Sequence, residues 1–399
     1  MDRSKGQVKV IDMDERFKGR FMDTFVWEEK KAENRKIRVV LAITVIGLVL
    51  IKILFISRDT IPQWGLRLGV VGLYLGVWYL FLERMYRWYV RVNYDKRANP
   101  IARFFLRFYR NKLATLGFFI VLTLVVVAVF APEIAKYPGE YRAEWKEYAL
   151  MPPSREHPLG TVPSGEDLFS LICYGTRISV TLGISVVSLG AAIGIALGVT
   201  AGYYGGKVDK LINYVTDVVM SFPFLVLILV IVGALRSNPQ INERLIEVGK
   251  TVGVDAHLLM VFLALSFLGW TGTFRIVRGQ VLSIREKDYV AAAKAIGATS
   301  RRIIFRHIAI NTLAPVIVVM TLGIGGVILT EAALSYLGFG ASVTTPSWGR
   351  LLSEANAYVS QLKYIHLVLF PGLAIFLAIL GFTTMGDGVR DAIDPRLKL

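Results

Sequence analysis

The sequence predicts an all-α integral membrane protein with about eight membrane-spanning helices. Three observations carry that class: 54% of the 399 residues are hydrophobic, mean hydropathy is +0.53, and the apolar residues fall in runs long enough to cross a bilayer. The formal charge is +16, from 46 Lys and Arg against 30 Asp and Glu. In a soluble protein that balance would raise the question of nucleic acid, but between apolar runs the positive-inside rule accounts for it and no nucleic-acid partner is implied. The lone Cys173 excludes an internal disulfide. His157, His257, His307 and His366 are too widely spaced to suggest a metal site or a catalytic set, so neither a resident metal nor enzymatic chemistry is expected of this chain.

Residues 1–38 are polar and highly charged, without the apolar stretch of a cleavable signal, and should stay in the cytoplasm. Phe17, Phe21 and Phe25 recur every four residues among Arg16, Lys18 and Arg20, a pattern that suits a helix lying on a membrane surface; the alternative is a partly disordered tail. Two spans, 39–56 and 64–82, are joined by a short turn containing Pro62 and form a helical hairpin, and a basic, aromatic stretch over 84–112 should meet acidic lipid headgroups. A third span covers 113–131. The proline-rich polar segment 132–176 is the largest loop, and further spans fit 178–202, 211–235, 257–273, 313–334 and 364–384. With the N-terminus inside, about 33 of the 46 Lys and Arg lie on the cytoplasmic side, which places both termini and residues 285–311 inside and the loop 132–176 outside.

Residues 288–311, DYVAAAKAIGATSRRIIFRHIAIN, are a charged island between two spans. The run around Ala292 and Ala293 favours a short helix with a small-residue surface that begins near Asp288 and Tyr289, and Gly297 suits the left-handed turn that stops it. Thr299 or Ser300 can cap a second helix, in which Arg302 and Arg306 share one face and Ile304 and Ile308 another, running on to Asn311. Taken alone, the stretch is also compatible with an ordinary loop between spans.

The stretch resembles the coupling loop of permease subunits in bacterial ATP-binding-cassette importers, with Ala292, Ala293 and Gly297 at the motif's Ala-Ala and Gly, Ala291 in place of its Glu and Ile310 in place of its Pro. From about residue 100 to 399 other pieces agree, in order, with the second permease of the dipeptide, oligopeptide and nickel branch. His157, Gly160, Thr161 and Asp167 match its external segment, where Val162, Glu166 and Leu171 depart from the expected charges. Gly202 to Gly206 with Asp209, Asp217 and Pro223 match the next turn and span. Arg275, Arg278 and Arg285 precede the coupling loop, and Glu331, Ser335, Trp348 and Pro371 follow it.

The resemblance implies a six-span permease core over 100–399, in which the preceding hairpin and basic linker of 39–99 have no counterpart. It implies ATPase coupling through Asp288, Tyr289, Ala292, Ala293, Gly297, Arg302, Arg306 and Asn311. It also implies a second related permease, cytoplasmic ATP-binding subunits that use ATP and Mg, and an extracytoplasmic solute-binding protein, all at the inner membrane. Peptides are the leading solute class, with oligosaccharides and nickel complexes as alternatives. The chain has no GxxxxGK[ST] phosphate-binding loop, so ATP hydrolysis is expected in partner subunits and no cofactor is expected to bind directly. Glu331, Ser335 and Trp348 are candidates for the pathway or an external gate, although a carboxylate at a span end also reads as an interfacial cap. The small-residue run from Gly183 to Gly198 serves either close helix packing or a pore lining. The rival from another class is an ion-coupled secondary transporter, which would be expected to carry ionisable residues within its spans; the later spans have almost none.

Overall fold

A computed structural model describes residues 100–139, 143–342 and 344–393 and, singly, residue 76. The chain divides into two units after residue 68, and every described residue belongs to the second. Apart from residue 76, the tail and hairpin expected within 1–99 lie outside the described residues.

The described part is helical, and its only β pairing is an isolated bridge between Thr161 and Asp167. Helix α1 (Pro100–Arg110) leads into α2 (Lys112–Val129), whose N-terminus is capped by the Asn111 side chain accepting from the Ala114 N–H at 3.1 Å. Helix α3 (Leu168–Tyr204) is capped by Asp167 and stops at Gly205. Next come α4 (Gly206–Met220), α5 (Phe224–Ser237) and α6 (Pro239–Val252), then α7 (Ala256–Arg285). The short α8 (Asp288–Ala295) and α9 (Ser300–Ile303) precede α10 (Ala309–Tyr336), and α11 (Trp348–Ala355) and α12 (His366–Ile393) close the unit.

Among the described residues five helices are long and apolar enough to cross a membrane, and a sixth span is present if the bent pair α4 and α5 counts as one. These coincide with the six spans read from hydropathy after residue 100. The boundaries differ for a physical reason. At 1.5 Å per residue the 37 residues of α3 reach about 55 Å, well past a hydrocarbon core of about 30 Å. Hydropathy marks only the lipid-matched part, so α3 begins ten residues before the expected 178, and α7 runs twelve beyond 273 through Arg275, Arg278 and Arg285.

The expected span 211–235 is not one straight helix: α4 and α5 meet at 88° across Ser221, Phe222 and Pro223. Pro223 has no N–H to continue the α4 ladder, and its ψ of 120° turns the chain into an extended step from which α5 starts anew.

A line of glycines on α3 sets the packing. A Cβ on Gly190, Gly194, Gly198 or Gly202 would fall 2.7–3.2 Å from atoms of Gly269, Thr273, Val277 and Val281 respectively. Both series advance in steps of four, so α3 and α7 run parallel with their backbones nearly touching. Helix α10 packs antiparallel on α3 near Gly183 and Ile328, and α12 packs antiparallel on α2, with Gly117 against Gly381 and Thr384. The chain directions therefore gather the start of α2, the α3–α4 turn, residues 285–311 and the end of α12 at one end of the bundle. The described residues of 130–167, 237–255 and 337–365 gather at the other.

Candidate functional site

Residues 285–311 fold as a helix, a glycine turn and a second helix, as their sequence suggests. Helix α8 ends in paired bonds in which the Ala298 N–H donates to the Ala293 carbonyl and the Gly297 N–H to the Lys294 carbonyl, both at 3.0 Å. That pattern requires a left-handed residue, and Gly297 has φ +79°. The Thr299 hydroxyl, one of the two expected caps, accepts from the Arg302 N–H and starts α9.

The chain then makes a π-helical turn over Ile304–Ile308 before α10. This alters the expected pairing of Ile304 with Ile308. In a π turn, residues five apart share a face, and the buried pair is Ile303 and Ile308, with Ile304 only half-buried.

Burial orients the segment. Val290 and Ala293 on α8 pack with Ile303 and Ile308 against Val277, Val281 and Ile284 of α7 and Val199 of α3. The opposite face of α8 is open: Asp288, Ala291 and Ala292 are exposed, Tyr289 is 45% exposed and Ile296 is 86% exposed. Arg302, Arg306 and Asn311 are exposed as well, so of the eight coupling candidates only Ala293 is buried. Ala291, where the resembled motif has Glu, sits on this open face.

Charged groups in and beside the segment tie α7 and α8 to the α3–α4 turn. The Arg278 guanidinium forks onto Asp209 at 2.5 and 2.7 Å, and Asn213 donates to the same carboxylate at 2.7 Å. Arg285 donates to the Gly202 carbonyl at 3.0 Å, and the Lys294 ammonium lies 5.8 Å from the centre of the Tyr203 ring. Asp209 and Arg278 stand out in the sequence only as separate motif pieces; nothing in a 69-residue separation announces that they pair.

The other candidates lie at the opposite end and form two joints. Glu331 is fully buried and accepts from Ser335 at 2.7 Å and Ser179 at 3.2 Å, with a further hydrogen bond to Ser347. Three hydroxyls thus replace the water a buried carboxylate loses, and they join α3, α10 and the cap of α11. Trp348 is buried beside them, its indole N–H donating to the Ile172 carbonyl at 3.2 Å.

His157, Gly160, Thr161 and Asp167 come together at the start of α3. The Asp167 carboxylate accepts from the Ser170 N–H at 2.8 Å and lies 3.1 Å from His157 Nδ1, while the His157 ring stacks on Tyr137. The Thr161 hydroxyl accepts from the Met151 N–H at 2.8 Å and donates to the Tyr148 carbonyl. Gly160, at φ +83°, leaves room for the Met151 carbonyl, which a Cβ would meet at 2.6 Å.

Next to this loop, Arg350 bridges two carboxylates, Glu354 at 2.7 Å and the buried Glu166 at 3.1 Å. The departures from the resembled motif are thereby accommodated: Val162 and Leu171 join an apolar cluster and Glu166 finds a cation. Burial pushes the Glu354 carboxyl above the usual carboxylate range; Arg350 opposes the shift and Glu166 adds to it. A carboxyl raised on folding contributes stability that is full below its unfolded pKa, near 4.5, and is lost as pH rises through the folded value. Glu354→Gln is therefore expected to lose less thermal stability than the parent as pH is raised above about 4.5. Parallel melting curves in detergent check this, and equal slopes would remove Glu354 as the titrating group.

Residues 194–399 match the family described as binding-protein-dependent transport system inner membrane component. The chain belongs to that family. Residues 99–153 also match the N-terminal transmembrane domain of oligopeptide transport permease C. The permease is 38% identical over 301 residues to the dipeptide transport system permease protein DppC of Alkalihalophilus pseudofirmus, covering 75% of this chain and 91% of that one. It is 36% identical over 307 residues to the glutathione transport system permease protein GsiD of Escherichia coli O6:K15:H31, covering 77% and 94%. The oligopeptide transport system permease protein OppC of Bacillus subtilis is 33% identical over 293 residues, covering 73% and 88%. This permease is thus a multi-pass inner-membrane component of a binding-protein-dependent importer of the ATP-binding-cassette class, and the likeness read from its motifs is one of family.

Proposed function

We propose that this permease forms part of the membrane pathway for peptide uptake and is driven by cytoplasmic ATP-binding subunits that dock on residues 288–311. A second, related permease completes the pathway, and an extracytoplasmic binding protein delivers the solute. The observation that carries the docking reading is the divided surface of α8: Val290 and Ala293 lock it to α3 and α7, while Ala292 and the protruding Ile296 leave an apolar face unpartnered. Force applied there passes directly to the two close-packed parallel helices. Relatives that carry dipeptides, oligopeptides and glutathione support peptides as the solute class. The distribution of Lys and Arg supports a cytoplasmic position for both termini and for the docking segment. With Ala291 in place of the motif's Glu, docking rests on shape more than on an ion pair at that position.

Uptake of labelled di- and oligopeptides into liposomes tests this reading. It is expected only when ATP-binding subunits, the partner permease and binding protein are all present, and the isolated chain should not turn over ATP. ATP turnover by the chain alone, or uptake driven by an ion gradient without ATPases, would overturn it.

A further inference from the structure

Three guanidinium groups surround one open depression at the foot of α10. Arg301, Arg302 and Arg306 line it together with Thr299, Phe305 and Ile310. All three arginines are exposed, and among the described residues none has a carboxylate within ion-pair distance. Phe305 and Ile310 are 66% and 58% exposed, so the depression has apolar walls as well as a cationic rim.

The π turn arranges these groups. Residues five apart share a face here: Ile303 and Ile308 point inward, while Arg301 with Arg306 and Phe305 with Ile310 open on the depression. The apolar continuous helix Ser300–Tyr336 is long enough to cross a membrane, so the depression lies where a charged segment passes into the bilayer. A free soluble anion would leave Phe305 and Ile310 without use, whereas a lipid supplies both chemistries. Guanidinium forks match phosphate oxygens, and the first methylenes of an acyl chain match the apolar walls.

We propose that this depression binds the phosphate headgroup of an anionic membrane phospholipid. The depression lies within residues 288–311, the segment proposed to dock the ATP-binding subunits, and it shares Arg302 and Arg306 with the coupling candidates; its lining does not include Ala292 or Ile296, the apolar face of α8 that carries the docking reading. A lipid seated there would hold the foot of α10 at a constant depth while α8 is pushed or pulled.

The test is native mass spectrometry of the full chain in detergent, titrated with phosphatidylglycerol or phosphatidylcholine of identical acyl chains. The wild-type chain should retain phosphatidylglycerol at least about tenfold better, a difference of about 1.4 kcal/mol. The double variant R301Q/R306Q should reduce the preference below about threefold, and R301K/R306K, which keeps the charge and loses the fork, should fall between. Equal retention of the two lipids by the wild-type chain overturns the proposal whether or not the variants can be purified, as does an unchanged preference in R301Q/R306Q. Displacement of phosphatidylglycerol by inorganic phosphate at equal concentration would assign the site to a free anion instead. Loss of ATP-binding subunits from R301Q/R306Q with the lipid preference intact would assign it to a protein partner, and either result overturns the lipid assignment.

Discussion

Gly297→Val is expected to abolish most ATP-driven uptake while leaving the protein inserted and its spans intact. The residue stands at φ +79° in the turn that ends α8, and the space around a Cβ there is empty. A Cβ therefore meets no neighbour, and the penalty arises from backbone strain. The left-handed conformation costs an ordinary L-residue about 1–2 kcal/mol, and a β-branched one more, which lowers the population of the correct turn by roughly 5- to 30-fold. Because the turn aims α9 and sets the open face of α8, that loss should register as weakened ATPase association and uncoupled transport. Gly297→Asn supplies the control, since asparagine visits the left-handed region more readily and should retain much of the activity. Normal assembly and normal uptake in Gly297→Val would show that this turn does not position the docking face.

Gly194→Leu is expected to prevent stable folding of the bundle, and Gly194→Ala to lower its melting temperature clearly. At Gly194 a Cβ would lie 2.7 Å from the Thr273 Cβ, 2.8 Å from the Trp270 carbonyl oxygen and 2.9 Å from the Phe274 nitrogen. Two of those atoms belong to the backbone of α7, so no rotamer change relieves the clash, and α3 and α7 must separate along their length. Overpacking of this kind costs about 1–3 kcal/mol for modest additions, and the larger leucine should exceed that range. Gly272→Ala is the matched control on α7. Nothing lies within 4 Å of its Cβ position, and replacing a mid-helix glycine by alanine should be neutral or stabilising by up to about 1 kcal/mol. Thermal melts of the two alanine variants in the same detergent decide the matter. Equal stability would mean that the glycine line does not set the distance between the helices.

Much of this was legible from residue order alone. The spans after residue 100 follow from apolar runs, because a bilayer imposes a length and a polarity on any helix that crosses it. The stop at Gly297 and the cap at Thr299 are local matters, settled by the backbone freedom of one glycine and the reach of one hydroxyl. The small-residue run on α3 was legible as a choice between close packing and pore lining, and at Gly190, Gly194, Gly198 and Gly202 the neighbours found are atoms of another helix. The reversal at Pro223 was half legible: a missing N–H announces a break, but the 88° angle depends on what each half packs against.

Composition, hydropathy and local turn chemistry thus determined that the chain is a helical membrane protein with a glycine-hinged segment between two of its spans, because each of those properties is carried by neighbours in sequence. Only the tertiary structure decided that Glu331 rests among Ser179, Ser335 and Ser347, that Arg278 meets Asp209, and that Glu166 finds Arg350 across 184 residues. A buried charge takes whichever partner the packing of distant helices brings within about 3 Å, and that proximity has no counterpart in the order of residues along the chain.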